Sequence, residues 1–430
     1  GGEKGMDKFQ SKLEGILMPI GSKIANNKYL KVLQKSFIAV MPLTIAGSIA
    51  LIISYFPFID YVVPADVLNE IITFLDAMSS ATLSIVALFL AGVIGYYYTR
   101  QEEHEGIFGA IVMICCFLIV TPMGWNEEGA FAYIPMTWLG GQGLLTAMIV
   151  GFGGGVIYNK LMNSKMTIKL PESVPPMVAE PFKMLIPALA TFLVFAAVRY
   201  GMSFTSFGDV HTFFFNVFQT PLMALGTSLP ASIIIVVFIQ VLWFMGLHGQ
   251  NIAGSVMTPI WNAAMIANLT AVQSGQSPQY IFTGQFFTGF IWMQFVSLIV
   301  ACLISAKSEQ LKAVGKLSIG SACFNISEPI VFGSPVVLNF MLLIPWVVTM
   351  AVFVLVTWGF MQSGLCPYPL GADIPWTTPP LISGWLITGS PMGAVVQIVN
   401  VIIGTFIYLP FVKMYDKQLV KQEQVGQTEA

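Results

Sequence analysis

One glutamate is the residue in this sequence best suited to chemistry. Between Lys316 and Lys413 the only charged side chains are those of Glu328 and Asp373, and Glu328 is followed at once by a proline. A carboxylate in hydrocarbon is costly unless it is paired or lines a wet cavity, so an ionisable residue at membrane depth indicates a functional site. We therefore take Glu328 as the first functional candidate, and we expect Asp373, in a proline-rich loop, to be solvated.

A second polar stretch interrupts an apolar segment upstream. The sequence Trp243-Phe-Met-Gly-Leu-His-Gly-Gln-Asn251 places His248, Gln250 and Asn251 among glycines where a helix should continue. Polar side chains and non-helical backbone are tolerated at membrane depth only where they are buried in protein or line a cavity. Interrupted hydrophobic segments of this kind point to a binding site.

These residues could together bind a neutral, polar ligand. A ligand that is flat on one face needs convergent hydrogen-bonding groups and an aromatic platform. The sequence offers His248, Gln250, Asn251, Glu328 and Trp376. Structural alternatives remain open: the glutamate could cap a broken helix, the histidine could satisfy backbone carbonyls, and the tryptophan could lie at a membrane interface.

The composition defines the class of protein that holds these residues. Apolar residues make up 56% of the chain and charged residues 9%, and the mean hydropathy is +0.78. Such a chain cannot cover a soluble surface, so we predict an all-α polytopic membrane protein. Residues 319–333 are too short and too broken by Pro329 to cross a membrane, which favours a re-entrant hairpin. Residues 364–380 form a second irregular insert.

The placement of lysines predicts the topology. They cluster within residues 8–35, 160–183, 307–316 and 413–421, whereas residues 36–99 contain no lysine or arginine. Under the positive-inside rule these clusters mark cytoplasmic loops and place both termini in the cytoplasm, which requires an even number of spans. The net charge of −2 is uninformative, and we expect no nucleic-acid partner.

The chain divides into segments of different composition. We expect a cloning remnant (1–5), a cytoplasmic amphipathic helix (6–35), an N-terminal membrane half (36–200), an amphipathic linker (201–225), a C-terminal membrane half (226–412) and a cytoplasmic tail (413–430). The first helix is predicted to lie on the membrane surface, because its apolar residues alternate with lysines.

Two motifs together resemble a known family. The segment 243–251 quoted above, with Phe324-Asn-Ile-Ser-Glu-Pro-Ile-Val-Phe-Gly333 and Asn339, is similar to the membrane component, enzyme IIC, of bacterial phosphotransferase systems. The lactose, cellobiose and diacetylchitobiose group is the branch that it resembles. The resemblance implies a homodimer of subunits with about ten transmembrane helices and two re-entrant hairpins, in which the N-terminal half makes the dimer contact.

The resemblance also implies a reaction and a partner. A phosphocysteine on the partner protein, enzyme IIB, would phosphorylate the 6-hydroxyl of a disaccharide held by the C-terminal half, so the phosphoryl group comes from that partner. Glu328 and His248 would face this hydroxyl, and Trp376 would stack on a sugar ring. Asn251, Gln250 and Asn325 would lie near the sugar. No metal or other cofactor is expected, and the site would be in the bacterial cytoplasmic membrane among its lipids.

Two other functions use the same residues differently. In an ion-coupled symporter Glu328 and His248 would relay protons, so that uptake would follow a pH gradient. In an enzyme of lipid-linked sugars a lipid would be turned over without transport. The sequence does not choose among cellobiose, diacetylchitobiose and lactose as the substrate, because residue spacing cannot reveal the partners of an N-acetyl group.

Overall fold

The computed structural model describes residues 26–54, 56–125, 132–171, 173–334 and 336–429. Among them, strands occur only at Gly124–Trp125 and Ala132–Tyr133, which pair antiparallel. Everything else that is regular is helical, so the all-α class is confirmed. The expected cloning remnant, and the predicted amphipathic helix as far as residue 25, lie outside the described residues.

The length and apolarity of the helices confirm a polytopic membrane protein. Seven helical spans of the described residues are long and apolar enough to cross a membrane, and the bent pair Val210–Gly226 and Leu229–Phe244 would make an eighth. A helix of about 20 apolar residues covers the hydrocarbon core. The expected number of ten spans, and the depth of the re-entrant hairpins, stay predictions.

Within the described residues, the first part of the chain contains nine α-helices, some of them very short. They are α1 (Lys28–Ser54), α2 (Ile59–Val62), α3 (Ala65–Thr82), α4 (Val86–Gln101), α5 (Gly106–Val120), α6 (Leu144–Met162), α7 (Pro176–Met202), α8 (Val210–Phe214) and α9 (Thr220–Gly226). A π-helix, Phe215–Gln219, joins α8 to α9. These last elements occupy the predicted amphipathic linker.

The second part of the chain contains nine more. They are α10 (Leu229–Phe244), α11 (Gly249–Gln273), α12 (Gly284–Phe286), α13 (Gln294–Ser305), α14 (Glu309–Ala322), α15 (Glu328–Gly333), α16 (Phe340–Gln362), α17 (Ile382–Thr388) and α18 (Pro391–Glu429). A second π-helix, Phe287–Ile291, lies between α12 and α13.

The helices form two compact units. The N-terminal unit consists of Asn27–Ser48 and Thr73–Ala224, and the C-terminal unit contains Ile49–Ile72 and Leu225–Ala430. In the N-terminal unit α4 and α5 approach closely at Gly95 and Gly109, because a Cβ on either residue would lie within 2.6 Å of the carbonyl oxygen of the other. Gly151 and Gly155 of α6 face side chains of α4 in the same way.

An aromatic core stabilises the C-terminal unit. Phe286, Phe287 and Phe290, from α12 and the π-helix, are fully buried with Phe353 of α16. Burial of each aromatic ring contributes about 2 kcal/mol or more of hydrophobic free energy. The same unit packs α13, α16 and α18 against one another. This core is the rigid support for the two helix breaks that the sequence predicts.

Each predicted break is present and has a local cause. α10 ends at Phe244, and Gly246 has a φ of 78°, a left-handed conformation that favours glycine. The break between α14 and α15 contains Asn325 with a φ of 59°, and asparagine tolerates this region better than most residues. α17 is flanked by Leu381 at a φ of 74° and Gly389 at 64°.

The helical hairpin formed by α14 and α15 is held at its start by α18. The carboxylate of Asp416 accepts hydrogen bonds from the backbone N–H groups of Lys307 and Ser308, at 2.8 and 2.9 Å, and from the Ser308 hydroxyl at 2.7 Å. These donors precede α14, where helix N–H groups need a partner. Asp416 therefore fixes the beginning of the hairpin that leads to Glu328.

Candidate functional site

His248 caps the helix that follows the first break. It is the N-cap residue of α11, and its Nδ1 accepts a hydrogen bond from the backbone N–H of Asn251 at 3.3 Å. Because a backbone N–H can only donate, Nδ1 carries no proton, and the neutral ring has its hydrogen on Nε2. His248 therefore presents an N–H donor away from the helix. The ring thus binds a backbone N–H and not the backbone carbonyls of the structural alternative, and its functional role stays a prediction.

Trp243 fixes the position of this imidazole. The two ring centroids are 4.6 Å apart and the ring planes are inclined by 45°. The indole N–H of Trp243 donates to Oε1 of Gln250, one turn into α11. Trp243 was not among the sequence candidates. The amide oxygen of Gln250 accepts the hydrogen bond from its indole N–H. The side chain of Asn251 is exposed.

Glu328 lies close enough to His248 for its charge to act on the imidazole. It is the first residue of α15, with Pro329 next in the first turn where a missing N–H costs nothing. Partial burial of the His248 ring lowers its pKa below the ordinary value, and the negative charge of Glu328 opposes that shift. Both side chains remain exposed. We refer to Trp243, His248, Gln250 and Glu328 as the Glu328 cluster.

A cavity lies next to the turn that carries Glu328. It is narrow and partly open, and its empty space comes to about 260 Å³ when the solvent at its mouth is included. Its lining is formed by Gln285, Thr288, Gly289, Met293, Asn325, Ile374, Pro375, Trp376, Thr378, Pro380, Ser383, Ile387 and Gln397. The lining is uncharged and includes an exposed aromatic ring, that of Trp376, which is 52% exposed. We refer to it as the Trp376 cavity.

Asn325 connects the turn to the cavity. Its Nδ2 donates to the carbonyl oxygen of Trp376 at 3.1 Å and to that of Thr288 at 3.4 Å. It also lies three residues before Glu328 in the chain. Of the six residues predicted from the sequence, Asn325 and Trp376 line the cavity, whereas Glu328, His248, Gln250 and Asn251 do not.

The π-helix Phe287–Ile291 lines one side of the cavity and contacts the hairpin turn and α18. Three consecutive carbonyl oxygens accept from side-chain amides: Thr288 from Asn325 at 3.4 Å, Gly289 from Gln397 at 2.6 Å, and Phe290 from Asn400 at 3.3 Å. A π-helix shifts the regular hydrogen-bond pattern and is frequent at functional sites. The amides come from the hairpin turn and from α18, so they bind three segments together.

Gln397 holds the far side of the cavity. Its Oε1 accepts from the backbone N–H of Leu381 at 2.6 Å, and its Nε2 donates to the Ser383 hydroxyl at 2.9 Å as well as to the Gly289 carbonyl. The side chain is almost completely buried. Gln397 thus stabilises the left-handed turn at Leu381 and the start of α17. A glutamine in the otherwise apolar first half of α18 was the signal for it.

Asp373 is not solvated as expected. It is half-buried, and its Oδ1 accepts a hydrogen bond from Nε2 of Gln285 at 2.7 Å. The same nitrogen lies 3.3 Å from the carbonyl oxygen of Ile374. The expectation failed because the loop folds back on α12, a contact between residues 88 positions apart that no local pattern reveals.

Known proteins resemble the whole chain. The family model described as "Phosphotransferase system, EIIC" matches residues 34–349. The oligo-beta-mannoside-specific EIIC component of Bacillus subtilis (strain 168) is 37% identical over 96% of this chain and 95% of its own length. The cellobiose-specific EIIC component of Geobacillus stearothermophilus is 35% identical over 98% of each.

A solved structure has the same fold. The crystal structure of the transporter ChbC, the IIC component of an N,N'-diacetylchitobiose-specific phosphotransferase system, superimposes with a TM-score of 0.89 at 36% identity. The match covers 96% of this chain and 99% of ChbC. Sequence and fold therefore agree with one another over nearly the full length of both proteins.

Proposed function

Because this chain belongs to the EIIC family of the phosphotransferase system, we propose that it carries a disaccharide of the cellobiose type through the bacterial cytoplasmic membrane and presents it to a phosphorylated IIB partner. The uncharged cavity that exposes an indole, next to the turn that leads to Glu328, is the observation that carries the proposal, and the charge of Glu328 also acts on His248. A carboxylate and a neutral imidazole are the groups that general acid–base chemistry on a hydroxyl requires. None of the comparisons supports an ion-coupled symporter.

In the proposed site Trp376 and Asn325 bind the sugar. The indole face provides the apolar platform on which a pyranose ring stacks, and the amide at the turn provides a polar contact at its edge. Asn251 and Gln250 lie one turn into α11, and Gln250 keeps Trp243 in place. In the proposed pose the 6-hydroxyl of the bound sugar ring faces the Glu328 cluster.

The proposed reaction is a direct phosphoryl transfer. The 6-hydroxyl oxygen attacks the phosphorus of the partner's phosphocysteine, an O–P bond forms, the S–P bond breaks, and the cysteine leaves as a thiolate. Glu328 accepts the hydroxyl proton, and the Nε2–H of His248 donates to the carboxylate or to the sugar oxygen. A base of this kind contributes roughly 10²- to 10⁴-fold in rate. The phosphorylated sugar cannot return, because its charge opposes passage through hydrocarbon.

The arrangement in the membrane is part of the proposal. Both termini lie in the cytoplasm, and the lysines near residues 307–316 and 413–421 favour that side. The N-terminal half makes the contact of a homodimer, and lipids surround the exposed apolar faces. The IIB partner then approaches from the cytoplasm, where its phosphocysteine is formed.

Replacement of the proposed base tests the chemistry. In the purified protein, Glu328→Gln should slow phosphoryl transfer from phosphorylated IIB to cellobiose at least 100-fold, because the amide cannot accept the proton. The affinity for the sugar, measured by isothermal titration calorimetry, should change less than threefold. The rate is measured as formation of the sugar 6-phosphate in a single turnover.

A matched carboxylate provides the control. Glu309→Gln changes an exposed glutamate at the start of α14, outside the cluster, and should leave both the rate and the affinity unchanged. A Glu328→Gln protein that transfers phosphate at the wild-type rate contradicts the role of Glu328. A rate restored by Glu328→Asp supports it.

A further inference from the structure

The orientation of one buried amide in the Trp376 cavity is fixed by its surroundings. The side-chain nitrogen of Gln285 lies 2.7 Å from Oδ1 of Asp373 and 3.3 Å from the carbonyl oxygen of Ile374. A carbonyl oxygen can only accept, so the NH₂ group must point that way. Gln285 is 6% exposed and lines the cavity, and no protein group within the described residues donates to its Oε1.

A second amide is oriented in the same manner. The nitrogen of Asn325 faces the carbonyl oxygens of Trp376 and Thr288, and its Oδ1 is buried without a donor in the part of the chain that the structure describes. A buried acceptor that stays unsatisfied costs about 1–3 kcal/mol. Two such oxygens in one cavity point to a ligand that donates hydrogen bonds to them.

The hydroxyl groups of the lining follow the same rule. The hydroxyl of Thr288 donates to the Gly284 carbonyl at 2.8 Å, and that of Thr378 donates to the Pro375 carbonyl at 2.7 Å. Their hydrogens are thus used inside the protein, and only lone pairs remain for a ligand. Gln397 uses both ends of its amide on the protein.

Few side-chain donors remain in the lining. They are the indole N–H of Trp376 and the hydroxyl hydrogen of Ser383, whose oxygen already accepts from Gln397. Two lining residues, Pro375 and Pro380, have no backbone N–H. The side chains of the lining therefore offer more acceptors than donors, although the cavity carries no charge.

We propose that this cavity selects a sugar ring with free hydroxyl groups and disfavours an N-acetylated ring, and that Asp373 determines this specificity by holding the Gln285 oxygen toward the ligand. The inference rests on the proposed function, because it assumes that the cavity receives the sugar. A hydroxyl rotates its hydrogen to meet any acceptor. An acetamide keeps one N–H donor in place of the hydroxyl and adds a carbonyl oxygen, which would face other oxygens and lose its own hydrogen bonds to water.

Asp373 acts through Gln285 and is a positioning residue. A carboxylate accepts from the amide and thereby rejects the reverse orientation, in which two oxygens would meet. An asparagine at this position can donate as well. In Asp373→Asn only the longer contact, to the Ile374 carbonyl oxygen at 3.3 Å, still opposes the reverse orientation, in which the Gln285 NH₂ group faces the cavity and donates to an acetamide carbonyl.

Binding of two disaccharides to the purified full-length protein tests the proposal. By isothermal titration calorimetry, we expect cellobiose to bind at least tenfold more tightly than N,N'-diacetylchitobiose, since one unpaired polar group costs about a factor of ten. Asp373→Asn should reduce this ratio roughly tenfold, in part through tighter binding of diacetylchitobiose. If Asp373 had only a structural role, its replacement would weaken the binding of both sugars by a similar factor.

Two controls separate specificity from folding. Asp66→Asn, in the first turn of α3, should leave the ratio unchanged. Gln285→Met removes the acceptor and keeps the side-chain volume, so it should weaken the binding of cellobiose without strengthening that of diacetylchitobiose. This variant serves as the test if Asp373→Asn does not fold.

The outcomes distinguish this proposal from the function on which it rests. Wild-type protein that binds diacetylchitobiose as tightly as cellobiose overturns the selectivity and leaves the transporter proposal standing. An unchanged ratio in Asp373→Asn, or in Gln285→Met if that variant is used, overturns the role of this pair. If neither disaccharide binds to the wild type, the proposed function itself fails.

Discussion

The Glu328 cluster and the Trp376 cavity lie on either side of one turn and differ in kind. The cluster contains an ionisable pair, Glu328 and His248, and both side chains are exposed. The cavity is lined by amides, hydroxyls, prolines and one indole, without a charge. The first has groups that move a proton, and the second has groups that recognise a neutral ligand. In the proposed transporter, chemistry and recognition are thus assigned to separate residues.

The separation has a practical consequence for mutants. A change in the cluster should alter the rate of phosphoryl transfer at saturating sugar, whereas a change in the cavity should alter affinity. Only Asn325, whose turn leads from one region to the other, should affect both. The three predictions below test this division, beginning with the residue that joins the regions.

Asn325→Ala should give the largest combined effect. The variant loses hydrogen bonds to two carbonyl oxygens, about 1 kcal/mol each, and places alanine at a φ of 59°, which costs about 1 kcal/mol more. We expect roughly 100-fold weaker sugar binding and a similar loss in the phosphoryl-transfer rate. Calorimetry and the single-turnover assay measure the two quantities.

Asn325→Gly separates the backbone from the amide. Glycine adopts the left-handed conformation freely but cannot make the hydrogen bonds. If the amide joins the two regions, the glycine variant should recover only the conformational part of the loss, about fivefold. Full recovery would show that the backbone angle alone matters, and would contradict the role given to the amide.

Trp376→Ala should affect the cavity alone. Loss of the stacking platform should weaken cellobiose binding roughly 10- to 30-fold, about 2 kcal/mol. At saturating sugar the transfer rate should stay within about threefold of wild type, because the Glu328 cluster is intact. Trp376→Phe, which retains an aromatic face, should restore most of the affinity. A rate that falls as far as the affinity would remove the distinction between the two regions.

His248→Asn should give the smallest effect and a change in pH dependence. The lowered pKa keeps His248 neutral near pH 7, and protonation sets in as the pH falls below its ordinary range of about 6.5. A proton on Nδ1 breaks the cap of α11, which contributes about 1 kcal/mol. The wild-type rate of phosphoryl transfer at saturating sugar should therefore fall roughly fivefold between pH 7 and pH 5.

Asparagine caps a helix without titrating, so the rate profile of His248→Asn should be nearly flat over the same pH range. The rate is measured in the single-turnover assay at each pH, with Glu309→Gln as the control. A variant that keeps the wild-type pH profile would assign the titration to another group.

Much of the fold follows from local sequence. Apolar length predicted the spans, and the glycines and prolines near His248 and Glu328 predicted the breaks that the structure contains. That Glu328 and His248 face one sugar hydroxyl is expected only from the family resemblance, and it stays a prediction. Local patterns were sufficient wherever one short segment determines its own conformation.

The cavity could not be predicted in the same way. Gln285 meets Asp373 across 88 residues and Gln397 meets Gly289 across 108, so both contacts depend on how distant helices pack. Their residue types gave only a weak signal, a polar amide in an apolar helix. The expected solvation of Asp373 failed for this reason, and the orientation of the Gln285 amide requires the coordinates of both partners.

Uptake into proteoliposomes tests the central claim most directly. Purified protein is reconstituted, and cellobiose accumulation is measured with phosphorylated IIB and its phosphoryl donors enclosed, or with a pH gradient and no partner. We predict accumulation only with the phosphoryl donors, and recovery of the sugar inside as its 6-phosphate. Accumulation of unmodified sugar driven by the pH gradient alone would contradict the account and identify an ion-coupled symporter.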